Sequence, residues 1–308
     1  MRVLVAGATG VIGSRLVPLL RAVGYDVVAM VRSGSRAALQ AGVDVVVADA
    51  LDAGAVRRAV REAAPDAVVN MLTSIPAEVN PRRLARDFAS TNRLRTEGTH
   101  NLVEATGQAR LISQGLAYAY QPARGLANED EPLWTQRTPA QFESVLAALM
   151  ELERLTTRAG GLVLRFGHLH GPGTVYAVDG SFARQVRAGK VPLVGGGNAV
   201  FSFTHVDDVA SAIVAALGRD QVGGVLNVVD DAPTALREWL PEYARLLSGP
   251  APKAAPAALA RLLVGGWGVA FMNELRGADN ARARLQLNWR PRYARWIDGF
   301  DATEVRAG

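Results

Sequence analysis

The chain has 308 residues, of which 49% are apolar and 20% are charged, and its formal net charge is +5 at pH 7. This length and apolar content predict one large domain or a domain with an added lobe, and they exclude a disordered chain. The chain has no cysteine, which excludes a disulfide framework and a thiolate metal site, and we assign no metal-ligating residue.

The N-terminus begins with a strand pattern, RVLVA, where a secretory signal would place a charged segment and a longer apolar stretch. Further along the chain, no charge-free apolar run is long enough to span a bilayer. We therefore expect a cytoplasmic protein with no membrane partner.

A glycine-rich turn, GATGVIGSRL, directly follows this first strand, and its glycines are spaced G-x-x-G-x-x-G. In such a turn one glycine ends the strand, a second admits a pyrophosphate to the backbone, and a third permits close helix packing. The N-terminus of the following helix also favours an anion. The turn therefore predicts a dinucleotide site, and the residues assigned to it are Gly7, Thr9, Gly10, Val11, Ile12 and Gly13.

The second strand pattern, DVVAMV, ends at Arg32 and Ser33. A site selective for NAD places an acidic residue here to bind the ribose hydroxyl. An arginine can instead pair with the 2′-phosphate of NADP. We therefore predict NADP as the cofactor, with Arg32 and Ser33 at its ribose; the alternative is that Arg32 is an ordinary exposed arginine at a strand end.

Short β-branched runs continue to alternate with helix-length segments as far as LVLRFG. Continuous apolar runs suit strands buried on both faces, and their alternation with helices implies parallel crossover connections. The predicted fold class is α/β, with a Rossmann-like, doubly wound parallel sheet over residues 1–165. Residues 166–308 are predicted to form a smaller substrate-binding lobe, with segments that return to the sheet.

Five arginines cluster on a predicted long helix that follows the fourth strand. No aromatic side chains that could stack on bases are interleaved with them, so the cluster predicts a solvated helix face and no nucleic-acid partner. The five are Arg82, Arg83, Arg86, Arg93 and Arg95.

Six separated motifs extend over nearly the whole chain: GATGVIGSRL, VADALD, TNRLRTEGTHNLVEA, LRFGHLHGPG, FSFTHVDDVASAI and ARARLQLNWRPRY. Together they resemble the extended short-chain dehydrogenase/reductase family, which includes nucleotide-sugar epimerases and dehydratases. The resemblance implies that the loops after the third and fourth strands, together with one helix, line the cofactor. The residues that it adds to the cofactor site are Asp49, Ala50, Leu51, Leu72, Thr73 and Asn92.

The resemblance breaks where the family carries its catalytic Y-x-x-x-K motif. In the family the tyrosine transfers a proton, while the lysine lowers the tyrosine pKa and holds the nicotinamide ribose. Alignment on Glu153 puts Val145 and Leu149 at these two positions, and residues 138–160 contain neither a tyrosine nor a lysine. The resemblance therefore implies an atypical member in which the usual proton-transfer group is absent.

Proton transfer needs a group whose pKa can lie near the working pH, which makes histidine and tyrosine the candidates. His168 and His170 follow the sixth strand, where the family faces nicotinamide and substrate, and Tyr118 and Tyr120 follow the fifth. We predict His168 as the first candidate for catalysis, with Tyr118, Tyr120 and His170 as the others. A structural role is the alternative for each of the four.

Three functions remain open on the sequence. The first is an NADP(H)-dependent oxidoreductase that acts on a small carbonyl or alcohol with a non-standard proton donor. The second is a non-redox enzyme on the same fold, such as an isomerase, a dehydratase or lyase, or a cyclase, and the third is a non-catalytic NADP-sensing regulator. The partner is a small molecule in the enzymatic cases. The oligomeric state is open, although a homodimer formed through two long helices is common in the family.

Overall fold

A computed structural model describes residues 1–32 and 42–300 of the chain. Its central feature is a sheet of seven parallel strands: β1 (Arg2–Ala6), β2 (Asp26–Val31), β3 (Asp44–Val47), β4 (Ala67–Asn70), β5 (Arg110–Leu116), β6 (Leu162–Phe166) and β11 (Gly224–Val228). The strand order is β11-β6-β5-β4-β1-β2-β3, so the order reverses between β1 and β4. The sheet confirms the predicted doubly wound, Rossmann-like α/β fold.

Helices cover both faces of this sheet. On one face lie α1 (Gly13–Ala22) and α8 (Val206–Leu217), and on the other lie α2 (Ala53–Ala63) and α5 (Thr99–Thr106). The remaining helices are α3 (Leu84–Asp87), α4 (Ala89–Arg93), α6 (Ala140–Arg158), α7 (Ser181–Arg187), α9 (Leu236–Leu246), α10 (Ala257–Asn273) and α11 (Ala281–Gln286).

The alternation of side chains along β1 shows why its sequence is continuously apolar. Val3 and Val5 pack into the cluster under α1 and α8, whereas Leu4 and Ala6 pack into the cluster under α2 and α5. Successive residues of a strand point to opposite faces, so a strand covered by helices on both sides needs an apolar residue at every position.

Local polar groups fix where two of these helices begin. The Asp52 carboxylate accepts a hydrogen bond from the Ala55 backbone N–H at 2.9 Å, at the start of α2. At the start of α8, His205 Nδ1 accepts from the Asp207 backbone N–H at 3.2 Å. Each acceptor satisfies an N–H group that has no partner within its helix.

Six short strands pair outside the large sheet, and an aromatic cluster fills the space around them. His168 lies opposite Phe203, and His170 opposite His205, in one of these pairs. Among the described residues, we find no helix with the length and apolar character needed to span a bilayer. The pairs are β7 (His168–His170) with β10 (Phe203–His205), β8 (Leu193–Val194) with β13 (Ala254–Ala255), and β9 (Val200–Phe201) with β12 (Thr234–Ala235).

Candidate active site

The glycine turn lies at the carboxyl end of β1, beside the point where the strand order reverses. A side chain on Gly7 (φ +92°) would lie 2.6 Å from the Met71 carbonyl oxygen, and one on Gly13 would lie 2.3 Å from the Gly7 carbonyl oxygen. A Cβ on Gly10 would have a single close neighbour in the described structure, the Gly7 oxygen at 3.3 Å. Packing explains Gly7 and Gly13, whereas the space at Gly10 fits a cofactor pyrophosphate.

The predicted ribose and adenine residues follow β2 and β3. Arg32 is exposed directly after β2, and Ser33 lies outside the described residues. After β3, the Asp49 carboxylate accepts a hydrogen bond from the Leu51 backbone N–H at 2.9 Å, while Ala50 is buried. An exposed cation and a fixed carboxylate therefore lie at the carboxyl edge of neighbouring strands, where an adenosine would bind in this fold.

The loop after β4 is held from two sides. The Leu72 carbonyl accepts a hydrogen bond from Gln114 Nε2 at 3.3 Å, and the Ser74 N–H donates to Thr91 Oγ1 at 3.0 Å. Thr73 is exposed between these contacts. One residue after Thr91, the Asn92 side-chain oxygen is buried and has no hydrogen-bond partner in the described structure. A buried acceptor without a partner is costly, so this oxygen fits a donor on a bound ligand.

α6 presents no proton donor of the family type. It contains neither a tyrosine nor a lysine, and Val145 and Leu149 are buried in the aromatic cluster. The two lysines of the chain, Lys190 and Lys253, are exposed near β8 and β13. The surface that α6 turns toward the interior at these positions is therefore apolar.

Tyr120, one of the predicted catalytic residues, belongs to a buried polar network. Arg165 donates two hydrogen bonds of 2.7 Å to the Glu153 carboxylate and a third of 2.7 Å to the Tyr120 hydroxyl. That hydroxyl donates to Asn227 Oδ1 at 2.7 Å, and burial raises the pKa of Tyr120. Because its hydroxyl is bonded to Arg165 and Asn227 within the core, we assign Tyr120 no part in the proposed substrate site.

His168 lies in an aromatic box. Its ring stacks on Tyr118 with centroids 4.3 Å apart and on Phe201 with centroids 4.2 Å apart, and its Nε2 is buried without a partner in the described structure. Burial lowers the pKa of His168 to about 3. Among the described residues no carboxylate offsets the desolvation of an imidazolium, which favours the neutral ring. The catalytic role of His168 stays a prediction.

His170 is enclosed more deeply. Its side chain is 2% exposed, its ring centroid lies 5.0 Å from that of His205, and a Cβ on Gly299 would lie 2.8 Å from its Cε1 atom. Burial and the His205 charge lower its pKa to about 3. Of the four predicted catalytic residues, Tyr118 and His168 therefore stack on each other, whereas Tyr120 and His170 contact other groups of the interior.

Arg95 is a residue of this region that the sequence reasoning missed. The expectation that it belongs to a solvated face is wrong, because its side chain is only 3% exposed; Arg93 is exposed and pairs with Glu97. Thr91 and Thr99, four residues before and after it, are also buried, but threonine is an ordinary surface residue, so this spacing gave no signal of burial in the sequence. Within the described residues, no group of three or more histidine, aspartate or glutamate side chains could hold a metal.

The model of the NAD dependent epimerase/dehydratase family matches residues 3–228 of the chain. The chain is 48% identical over 311 residues to the 3-diazoavenalumate denitrifying reductase of Streptomyces sp., covering 97% of this chain and 99% of that protein.

Two solved structures share the fold over the full length of both chains. Human epimerase family protein SDR39U1 (isoform 2) with NADPH has a TM-score of 0.71 and 21% identity. UDP-glucose 4-epimerase of Thermus thermophilus with NAD has a TM-score of 0.73 and 23% identity. The two solved structures show the shared fold, and the family model and the Streptomyces relative show that the chain belongs to the NAD dependent epimerase/dehydratase family, an extended short-chain dehydrogenase/reductase that binds a nicotinamide dinucleotide.

Proposed function

We propose that the protein is an NADPH-dependent reductase that removes a diazo group, as N2, from an aromatic acid. The observation that carries this proposal is the apolar surface of α6 at Val145 and Leu149, where related reductases carry the tyrosine and lysine of their proton donor. The name of the Streptomyces relative, a denitrifying reductase of a diazo compound, supports the same chemistry.

The chemistry explains why a proton donor is dispensable. Reduction of a carbonyl builds negative charge on oxygen, which a donor such as tyrosine must neutralise. An aryl diazonium group is already cationic, so the hydride that NADPH would supply when bound gives a neutral diazene, Ar–N=N–H, and leaves no negative charge for a donor to neutralise. Water takes the N–H proton, whose bonding electrons complete the triple bond of N2; the carbon–nitrogen bond breaks with its electron pair left on the ring carbon, and water returns the proton to that carbon. The balance is ArN2⁺ + NADPH → ArH + N2 + NADP⁺.

In this proposal the residues of the chain bind the cofactor and orient the substrate. The space at Gly10 and the N-terminus of α1 receive the pyrophosphate, and Arg32 pairs with the 2′-phosphate. Tyr118, stacked on His168, forms an aromatic wall for the substrate ring. In this proposal His168 orients Tyr118 and stays uncharged at neutral pH, because burial lowers its pKa to about 3.

The test is a stoichiometry measurement with 4-carboxybenzenediazonium and with 3-diazoavenalumate, each supplied with ¹⁵N in the diazo group. We expect equimolar NADPH oxidation, labelled N2 and denitrified acid, at a rate well above that of the mixture without protein. Gly10→Val is the matched control, and it is expected to react at the rate without protein. Release of N2 without NADPH oxidation, or turnover limited to carbonyl substrates, would overturn the proposal.

The preference for NADP over NAD is part of this proposal and rests on Arg32, since the solved relatives include one with NADPH and one with NAD. The division at residue 165, a cytoplasmic location and a homodimer formed through long helices stay predictions. Measurement of NADPH oxidation distinguishes the proposed reductase from the two alternatives, because neither a non-redox enzyme nor an NADP sensor consumes NADPH.

A further inference from the structure

Arg95 is a buried cation without a counter-charge in the described part of the chain. Its side chain is 3% exposed, no carboxylate lies within ion-pair distance of it, and its Nη1 atom has no hydrogen-bond partner. The face of the Phe88 ring lies 5.9 Å from its guanidinium carbon, which is a weak substitute for an anion. Burial lowers the pKa of Arg95 only to about 10, so the guanidinium remains charged at neutral pH.

The backbone that carries Arg95 departs from a regular α-helix. Residues 94–98 form a π-helical turn between α4 and α5. Such a turn widens the helix by one residue, changes the direction of its side chains, and is frequent at functional sites. Three residues on, Gly98 packs against two predicted cofactor residues, since a Cβ there would lie 3.6 Å from Ala50 Cβ and 3.8 Å from Leu72 Cδ1.

Arg95 also lies near the proposed aromatic wall, because the Phe88 ring that its guanidinium faces packs against the same aromatic cluster as Tyr118. Burial raises the pKa of Tyr118, and the nearby charge of Arg95 opposes that rise. Thr91, one turn before Arg95, holds the loop after β4 through Ser74. The helical segment that carries Arg95 therefore packs, through Thr91 and Gly98, on the loops that follow β3 and β4 at the carboxyl edge of the sheet, where ligands bind in open α/β folds.

We propose that Arg95 is the substrate-binding residue for the carboxylate of an aromatic acid whose ring lies against Tyr118. This inference rests on the proposed function for the diazo group, but acid recognition is separable from reduction. A guanidinium presents two parallel N–H donors that match a carboxylate. An arginine kept only for stability would have a protein carboxylate, as Arg165 has in Glu153, because an unpaired buried charge destabilises the fold.

Binding of trans-cinnamate and of neutral trans-cinnamamide to the protein saturated with NADP⁺ tests this inference without any reduction step. By isothermal titration calorimetry, we expect the wild-type protein to prefer the acid, and Arg95→Met to bind the acid about 10- to 100-fold more weakly with little change for the amide. Arg95→Lys keeps the charge but loses the two parallel donors, so its affinity for the acid is expected to lie between those of the wild-type protein and Arg95→Met.

Arg93→Met is the matched control, because it removes an exposed charge two residues away on the same helical segment. It should leave acid binding unchanged. The thermal unfolding temperature distinguishes this role from a structural one. Arg95→Met is expected to unfold at the same or a higher temperature than the wild-type protein, since it removes an unpaired buried charge, whereas loss of a structural arginine would lower that temperature.

Three results would overturn the inference: no preference of the wild-type protein for acid over amide, equal acid affinity in Arg95→Met, or weaker NADP⁺ binding in that variant. Failure of the proposed function would give a different experimental result. A protein that prefers the acid through Arg95 but does not reduce a diazonium group retains this inference and loses the reductase.

Discussion

Two buried arginines show how a partner decides the role of a charged residue. Arg165 and Glu153 share two hydrogen bonds of 2.7 Å, so the charge of each residue is compensated within the protein. Arg95 is equally buried, but no carboxylate of the described chain pairs with it. A buried charge that is paired within the protein has a structural role, whereas a buried charge without a protein partner is expected to pair with a bound ligand.

At the residue scale, the proposed preference for NADP over NAD rests on Arg32. Arg32→Asp should weaken NADPH binding by about 10- to 100-fold, because it removes a charge-assisted hydrogen bond to the 2′-phosphate worth about 1.5–3 kcal/mol. NADH, which lacks that phosphate, should bind no more weakly than before. Equilibrium titration of NADPH fluorescence measures both constants, and Arg61→Asp on the exposed face of α2 is the control for net charge. Equal affinities of the wild-type protein for NADPH and NADH would contradict the assignment.

At the scale of an element, the turn between β1 and α1 contains one glycine proposed to bind the cofactor, Gly10, and two that packing explains, Gly7 and Gly13. Gly10→Val is expected to abolish NADPH binding in a protein that still folds, because a Cβ there has one close neighbour among the described residues, at 3.3 Å, and the valine methyl groups would enter the space proposed for the pyrophosphate. Gly13→Val is expected to unfold or strongly destabilise the protein, since its Cβ would lie 2.3 Å from a backbone oxygen.

Circular dichroism measures the fold of both variants, and calorimetric titration with NADPH measures binding. The two substitutions add the same side chain to the same turn, so each is the control for the other. Cofactor binding that survives in Gly10→Val would show that the turn serves only the fold.

At the scale of the whole molecule, the buried histidines couple stability to pH. The pKa of His168 is lowered by burial to about 3, below its ordinary value of about 6.5, so the unfolded chain binds the proton first as the pH falls. The stability from keeping the ring neutral is full above about pH 6.5 and is lost progressively toward pH 3. His170, whose pKa is also lowered to about 3, acts in the same direction.

His168→Phe keeps an aromatic ring in the box and removes this titration. Between pH 7 and pH 5, the free energy of unfolding of the variant should fall by about 2 kcal/mol less than that of the wild-type protein. Urea denaturation at each pH measures the difference, and His100→Phe at an exposed position is the control. An identical loss of stability in His168→Phe and in the wild-type protein would show that His168 is not buried as a neutral ring.

The amino-acid sequence by itself determined the class of the fold, the parallel sheet and the position of the dinucleotide turn. These features depend on local signals, because each apolar β-branched run reports burial on both faces and the glycine spacing reports backbone geometry within a few residues. The same sequence also showed that residues 138–160 contain neither tyrosine nor lysine, and the proposed chemistry depends on that fact.

Only the tertiary structure decided which polar side chains are available for chemistry. Tyr120 is occupied by Asn227, 107 residues further along the chain, and His168 is kept neutral by aromatic residues from other segments. Arg95 differs from its exposed neighbour Arg93 because of what covers it. The burial of a side chain and its hydrogen-bond or ion-pair partners depend on residues that are distant in sequence. Because desolvation in turn shifts the pKa of a buried group, no local sequence pattern could distinguish the roles of these side chains.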